Sequence, residues 1–164
     1  MRAGSGRGAR MEFRYETWLD GGWLASDGLG HLAVMITAGP GPIPTWTLGD
    51  GHDDLDIEHR VLELAPNGVA QFVPTQPDAP IYRGFRELAE RGLYVYDWQD
   101  AHRVEYRNVY EAMAVPSVPR TLTDLPEDLR RIAERAFFDL EFRHALDVPM
   151  TKLVDQGGAP AGPR

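Results

Sequence analysis

The chain contains no cysteine, and this absence excludes disulfides, cysteine-ligated zinc, iron–sulfur clusters and thiol catalysis. Serine is scarce as well, and none of the three serines lies in the Gly-x-Ser-x-Gly pattern of a nucleophile on a strand-to-helix turn. The glycines around residue 40 lie among prolines and lack the spacing of a phosphate-binding loop. Recognisable motifs therefore assign no reaction to this protein.

Long apolar runs are also missing. No stretch of 18 apolar residues is present, so the sequence predicts no membrane-spanning helix. Residues 1–10 are basic, but the next residues, Met11–Glu16, are polar where a signal peptide needs an apolar run. We therefore expect a cytoplasmic protein, with Met11 as a second candidate for the initiating methionine.

Positive charge is sparse, and lysine occurs once. Residues 11–150 hold 24 Asp and Glu against 12 Arg, so their net charge is −12, compared with −8 for the whole chain. Such an excess repels nucleic acid and anionic membranes and attracts basic proteins. The predicted partner is therefore a basic protein. Sixteen Arg against one Lys, with abundant Ala, Gly and Pro, is typical of a GC-rich bacterial genome.

The length predicts a single globular domain over residues 11–150. We expect a disordered basic tail at 1–10 and a flexible tail at 151–164, because both segments are rich in Gly, Ala or Pro and poor in large apolar residues. Alternation and apolar runs predict strands at 12–17, 31–37, 69–73, 93–98 and 104–115. The segment 19–24 is predicted to be a turn, and the proline-rich segment 38–44 an unpaired loop.

Three helices are predicted, at 50–65, 81–91 and 124–145, the last capped by Asp124 with Glu127 completing a capping box. The resulting fold class is α+β. We expect a single-layer mixed or antiparallel sheet of about five strands, packed by about three helices mainly on one face.

The densest polar cluster spans residues 50–59. An EF-hand needs Gly at its sixth position and Glu at its twelfth, and counting from Asp50 these are Leu55 and Val61. His52 and His59 lie seven residues apart, which is not the spacing of a zinc-binding helix. Three interpretations stay open: a solvated acidic helix start, a metal site, or a surface that contacts a partner.

A second cluster spans residues 94–103. Asp97, Asp100 and His102 are candidates for a shared metal site or for an Asp–His general base. Alternatively, Asp100 stabilises a turn and Asp97 pairs with Arg103 or Arg107. The rings at 94, 96 and 98 are predicted to share one strand face; if buried they are core, and if exposed they are the kind of surface that anchors a partner.

The function predicted from these features is a small acidic protein-binding module, immunity- or antitoxin-like, that neutralises a basic partner. The alternatives are a small metal-dependent enzyme using Asp97, Asp100 and His102, and a regulatory or structural domain without an acidic interface. We expect no cofactor and no resident metal. The predicted partner-binding residues are Asp50, Asp53, Asp54, Asp56, Glu58, Tyr94, Tyr96, Asp97, Trp98 and Asp100.

Overall fold

The structure is a computed structural model, and it describes residues 13–15, 21–47, 57–74, 80 and 82–154. Its strands are β1 Phe13–Tyr15, β2 Gly22–Ser26, β3 Leu32–Ile36, β4 Pro42–Pro44, β5 Ala70–Phe72, β6 Tyr94–Asp97, β7 Val109–Pro116, β8 Phe137–Phe138, β9 Asp147–Pro149 and β10 Leu153–Val154. Its helices are α1 Ile57–Leu62, α2 Tyr82–Ala89 and α3 Glu127–Arg135.

Eight strands form one open mixed sheet. The main path runs β10-β8-β2-β3-β6-β7-β5, and β9 pairs with β7 outside this path. The β2–β3 and β6–β7 pairs are antiparallel, whereas β3 and β6 are parallel neighbours at its centre. A separate two-stranded sheet joins β1 to β4. The central parallel pair is important because it brings the carboxyl ends of two strands to the same edge.

Both faces of the central strands are buried. On one face, Leu24, Val34 and Val95 pack with apolar residues of the three helices. On the other face, Tyr96 and its neighbours pack under the segment that follows α3, which includes Phe142. Two-sided burial explains why β2, β3 and β6 are buried along their whole length.

The α+β class and the three helices are confirmed, as is the central position of the strand predicted at 31–37. The prediction of about five strands is wrong, because the sheet has eight. The largest omission is β2, in a segment predicted to be a turn because of Gly21 and Gly22. Gly22 is instead the first residue of the strand and pairs with Ile36.

The third helix is shorter than predicted, because α3 ends at Arg135 and Phe137–Phe138 forms β8. Phe138 is fully buried in the core on the face opposite the helices, so its apolar character fits a strand as well as a helix. The predicted cap is also wrong: Asp124 forms a capping box with Thr121 around a separate 3-10 turn. The residue that precedes the first turn of α3 is Pro126.

One further expectation is corrected, in the proline-rich segment. The proline segment predicted to be an unpaired loop contains β4, which pairs with β1 at a sheet edge, where proline is tolerated. Near the other end of the described residues, β10 pairs with β8 and Leu153 is buried. Residues 1–10 and 155–164 lie outside the described residues. Within the described part of the chain, no helix combines the length and apolar character needed to span a membrane.

Candidate functional site

A cleft of about 380 Å³ opens at the carboxyl ends of β3 and β6. These parallel strands end at Ile36 and Asp97, which are partners in register. Ligands of open α/β sheets commonly bind outside the carboxyl ends of parallel strands. The residues that line the cleft are Ile36, Ala38, Glu58, Gly84, Phe85, Asp97 and His102.

Three ionisable side chains of this cleft come from three different elements. Glu58 lies in the first turn of α1, Asp97 ends β6, and His102 closes a 3-10 turn over Gln99–His102. Asp97 is buried, and the Gln99 side-chain amide donates to its Oδ2 at 2.5 Å. Two carboxylates beside apolar walls make the cleft suitable for a cationic group.

Glu58 owes its position to the residue opposite it on β2. A Cβ added at Gly22 would lie 3.1 Å from Cγ of Glu58 and 3.0 Å from Cγ1 of Val34. Any larger residue at position 22 would therefore displace one of these two side chains. Glycine at the start of β2 thus lets α1 bring an acidic side chain close to the sheet.

Ala38, in the wall of the cleft, has a strained backbone. Its φ of +47° lies in the left-handed region, which costs a residue with a Cβ about 1–2 kcal/mol. Within the described residues, Ala38 shares positive φ with one other non-glycine residue, Asn108, at +55°. Strained non-glycine backbone recurs at functional sites, so these two positions single out the end of the sheet where both lie.

Asp97 and His102 line the same cleft, but Asp100 does not. The Asp100 carboxylate accepts backbone N–H groups from Arg107 at 2.9 Å and from Asn108 at 2.8 Å. Its structural role is thus the stabilisation of a turn. Within the described residues, no group of three His, Asp or Glu side chains is placed to hold a metal ion.

The arginines of this region do not make the predicted pairing with Asp97. Arg103 and Arg107 both donate to Glu111 on β7, and Arg107 also donates to Asp147 at 2.6 Å. These contacts hold the pKa of both guanidinium groups above the ordinary value, the Arg103 pKa mainly through its hydrogen bonds to Glu111 and the Arg107 pKa mainly through those to Asp147. The prediction is wrong because Asp97 faces the helices.

The aromatic stripe is buried. Tyr94, Tyr96 and Trp98 are 3%, 1% and 7% exposed, and all three belong to the core on the face opposite the helices. Tyr96 shares its hydroxyl hydrogen bond between the carbonyl oxygens of Phe142 and Ala145, and its burial raises the pKa of the phenol. The structure therefore confirms the first alternative, in which these rings are part of the core.

A second pocket, of about 470 Å³, lies beside the first at the same end of the sheet. Strand alternation separates the two, since Asp97 lines the cleft while Trp98 lines this second pocket. We call it the Trp98 pocket; its lining residues are Pro40, Trp98, Asp100, Ala101, Arg103, Tyr106 and Asn108. Sequence reasoning missed this pocket, because the loop residues that close it carry no motif.

The first acidic cluster is only partly within the described residues. Glu58 is placed in the cleft wall, whereas Asp50, Asp53, Asp54 and Asp56 lie outside the described residues. The site established by the geometry is therefore Glu58, Asp97 and His102 around one cleft. No family model, curated protein or solved structure matches the chain.

Proposed function

We propose that this protein is a protein-binding module whose acidic cleft receives a basic side chain of its partner. The observation that carries the proposal is the placement of Glu58, Asp97 and His102 around one cleft. The surrounding chain, residues 11–150, has a net charge of −12. A charge excess of this size speeds the approach of a basic partner, and the cleft supplies a defined contact.

The walls of the cleft fit a long basic side chain. Carboxylates form short, charge-assisted hydrogen bonds with a guanidinium or ammonium group. Ile36 and Phe85 are mostly buried apolar residues of the same cleft and offer packing for the methylene stem of Arg or Lys. The carboxylates of the cleft match the charged end of such a side chain, and its apolar residues match the methylene stem.

The class of partner follows from charge. Proteins that act on nucleic acid need basic clefts. An acidic protein competes with the nucleic acid for such a cleft, and its complementary charge makes the association fast and specific. The proposed role is therefore that of an immunity- or antitoxin-like inhibitor of a basic protein. Glu58 and Asp97 make the central contact, with His102 beside them.

An acetylated, amidated octaarginine peptide is a defined probe for the cleft. We expect Glu58→Gln to weaken its binding about five- to tenfold by calorimetry, which corresponds to roughly 1 kcal/mol for one partly screened carboxylate. The matched control is Glu63→Gln, just beyond the end of α1. Glu63 is 64% exposed, pairs with Arg60 at 3.8 Å, and does not line the cleft.

Both variants remove one negative charge, so net charge cancels in the comparison. We expect the control to change affinity less than about twofold, and the binding of all three proteins to weaken as salt rises. Equal losses in the two variants would show that the peptide responds to overall charge. That result, with unchanged thermal midpoints in both variants, would reject the cleft as the site.

A further inference from the structure

Gly84 lines the acidic cleft, and the fold itself gives no reason for glycine at this position. It is the third residue of α2, and within a helix glycine is less favourable than every residue except proline. Its backbone is not left-handed, since the described glycines with positive φ are Gly30, Gly39 and Gly92. Packing does not exclude a side chain either. A Cβ added at Gly84 would have no atom of the described residues within 4 Å, apart from its chain neighbours and its own helix backbone.

Gly22, behind the same cleft, shows the contrast. A Cβ there would lie 3.0 Å from Val34 and 3.1 Å from Glu58, so the fold requires glycine at position 22. At position 84 the fold accepts a larger residue. Because Gly84 is exposed and lines the cleft, a side chain there would take room from the cleft and not from the core. Glycine is typical of positions where a ligand comes close to the backbone.

We propose that Gly84 is a specificity-determining residue of the acidic cleft, which leaves open the room that the partner's basic side chain occupies. This inference rests on the proposed function and adds a requirement of shape to it. Glu58 and Asp97 select the positive charge. The bare backbone at residue 84 lets the methylene stem that carries this charge lie against α2, next to the Phe85 ring.

The test adds an uncharged side chain at this position and measures the binding of the octaarginine peptide by calorimetry. We expect Gly84→Gln to weaken binding about fivefold or more, and Gly84→Ala, with one methyl group, to weaken it about twofold. Neither substitution changes the net charge, so the general attraction of the peptide is the same in all variants. Glutamine and alanine favour helix over glycine, so both variants should unfold at the same temperature as the original chain or at a higher one.

Gly28→Gln is the matched control. Gly28 is exposed, follows β2 at the other end of that strand, and does not line the cleft. A Cβ added there would meet one atom within 4 Å, the Leu140 carbonyl oxygen, at an ordinary contact distance of 3.5 Å. We expect this variant to bind octaarginine within about twofold of the original chain.

Two results would overturn the inference. One is binding of Gly84→Gln within about twofold of the original chain. The other is an equal loss of affinity in Gly84→Gln and Gly28→Gln. If either occurs while Glu58→Gln still weakens binding more than Glu63→Gln does, the cleft binds the peptide without a role for Gly84. Equal losses in the two glutamate variants would instead reject the proposed function itself, so the two failures are distinguishable.

Discussion

Asp100→Ala tests whether this residue stabilises the loop that closes the Trp98 pocket. Asp100 is 4% exposed and accepts two backbone N–H groups, from Arg107 and Asn108. Removing a carboxylate leaves both donors unsatisfied in part-buried positions, at about 1–2 kcal/mol each. We expect Asp100→Ala to lower the free energy of unfolding by about 2–4 kcal/mol. Asp100→Asn keeps one acceptor oxygen and should cost roughly half as much.

Urea unfolding measures this loss as a shift of the midpoint at constant slope. Amide hydrogen exchange at Arg107 and Asn108 provides a local readout, because both protons lose their acceptor. Glu105→Ala is the control. It changes an exposed residue of the same loop, and we expect its effect to stay within about 0.5 kcal/mol.

The reasoning is refuted if Asp100→Ala unfolds within about 0.5 kcal/mol of the original chain with unchanged exchange at both amides. In that case the two hydrogen bonds do not stabilise the loop. Asp100 would then regain its place among the candidate functional residues.

Two other predictions concern acidic residues outside the cleft. Urea unfolding should show that Asp27→Ala destabilises the fold by about 3–5 kcal/mol. The reason is that the buried Asp27 carboxylate accepts three backbone N–H groups, from Leu29, His31 and Phe142. A loss under about 1 kcal/mol would contradict this role. The Thr121 backbone N–H lowers the pKa of Asp124, so its contribution to stability is present at neutral pH and lost as pH falls through the lowered pKa. Asp124→Asn should therefore be less stable than the original chain at pH 7, and the gap between their urea midpoints should close below about pH 4; a gap that persists in acid would contradict this.

Elements with a strong local signal could be predicted from the sequence. The apolar run at 31–37 contains the central strand Leu32–Ile36, and the apolar spacing at 81–91 contains α2. Gly92 follows α2 with a φ of +88°, the left-handed conformation expected where a helix ends at glycine. The alternation of side chains along residues 93–98 also predicted correctly that the rings at 94, 96 and 98 share one face of the strand.

The missing elements depend on contacts that are distant in sequence. The strand β2 is buried on both faces, so it lacks the polar alternation that marks a strand with one exposed side. The strands β8 and β10 are two residues long; within the described residues, β10 pairs with β8, and β8 pairs also with β2. Their stability comes from the burial of Phe138 and Leu153, which no local pattern encodes.

The site was predictable in its residues but not in its grouping. Because Asp97 and Asp100 are close in sequence, the prediction placed them in one site. The carboxylate that shares the cleft with Asp97 is instead that of Glu58, on a helix about forty residues earlier in the chain. The link between Glu58 and Asp97 depends on the parallel pairing of β3 with β6 and on the space left at Gly22. Neither feature has a local sequence signal.

The most direct test of the acidic cleft is the mapping of N-acetyl-arginine amide onto the backbone amide resonances of the protein. This small monocation carries one guanidinium, so it reports a site rather than overall charge. The account predicts saturable shifts concentrated at Ile36, Ala38, Glu58, Asp97 and His102, which Glu58→Gln reduces. Shifts of equal size at exposed acidic residues outside the cleft, such as Glu134 on α3, would contradict it.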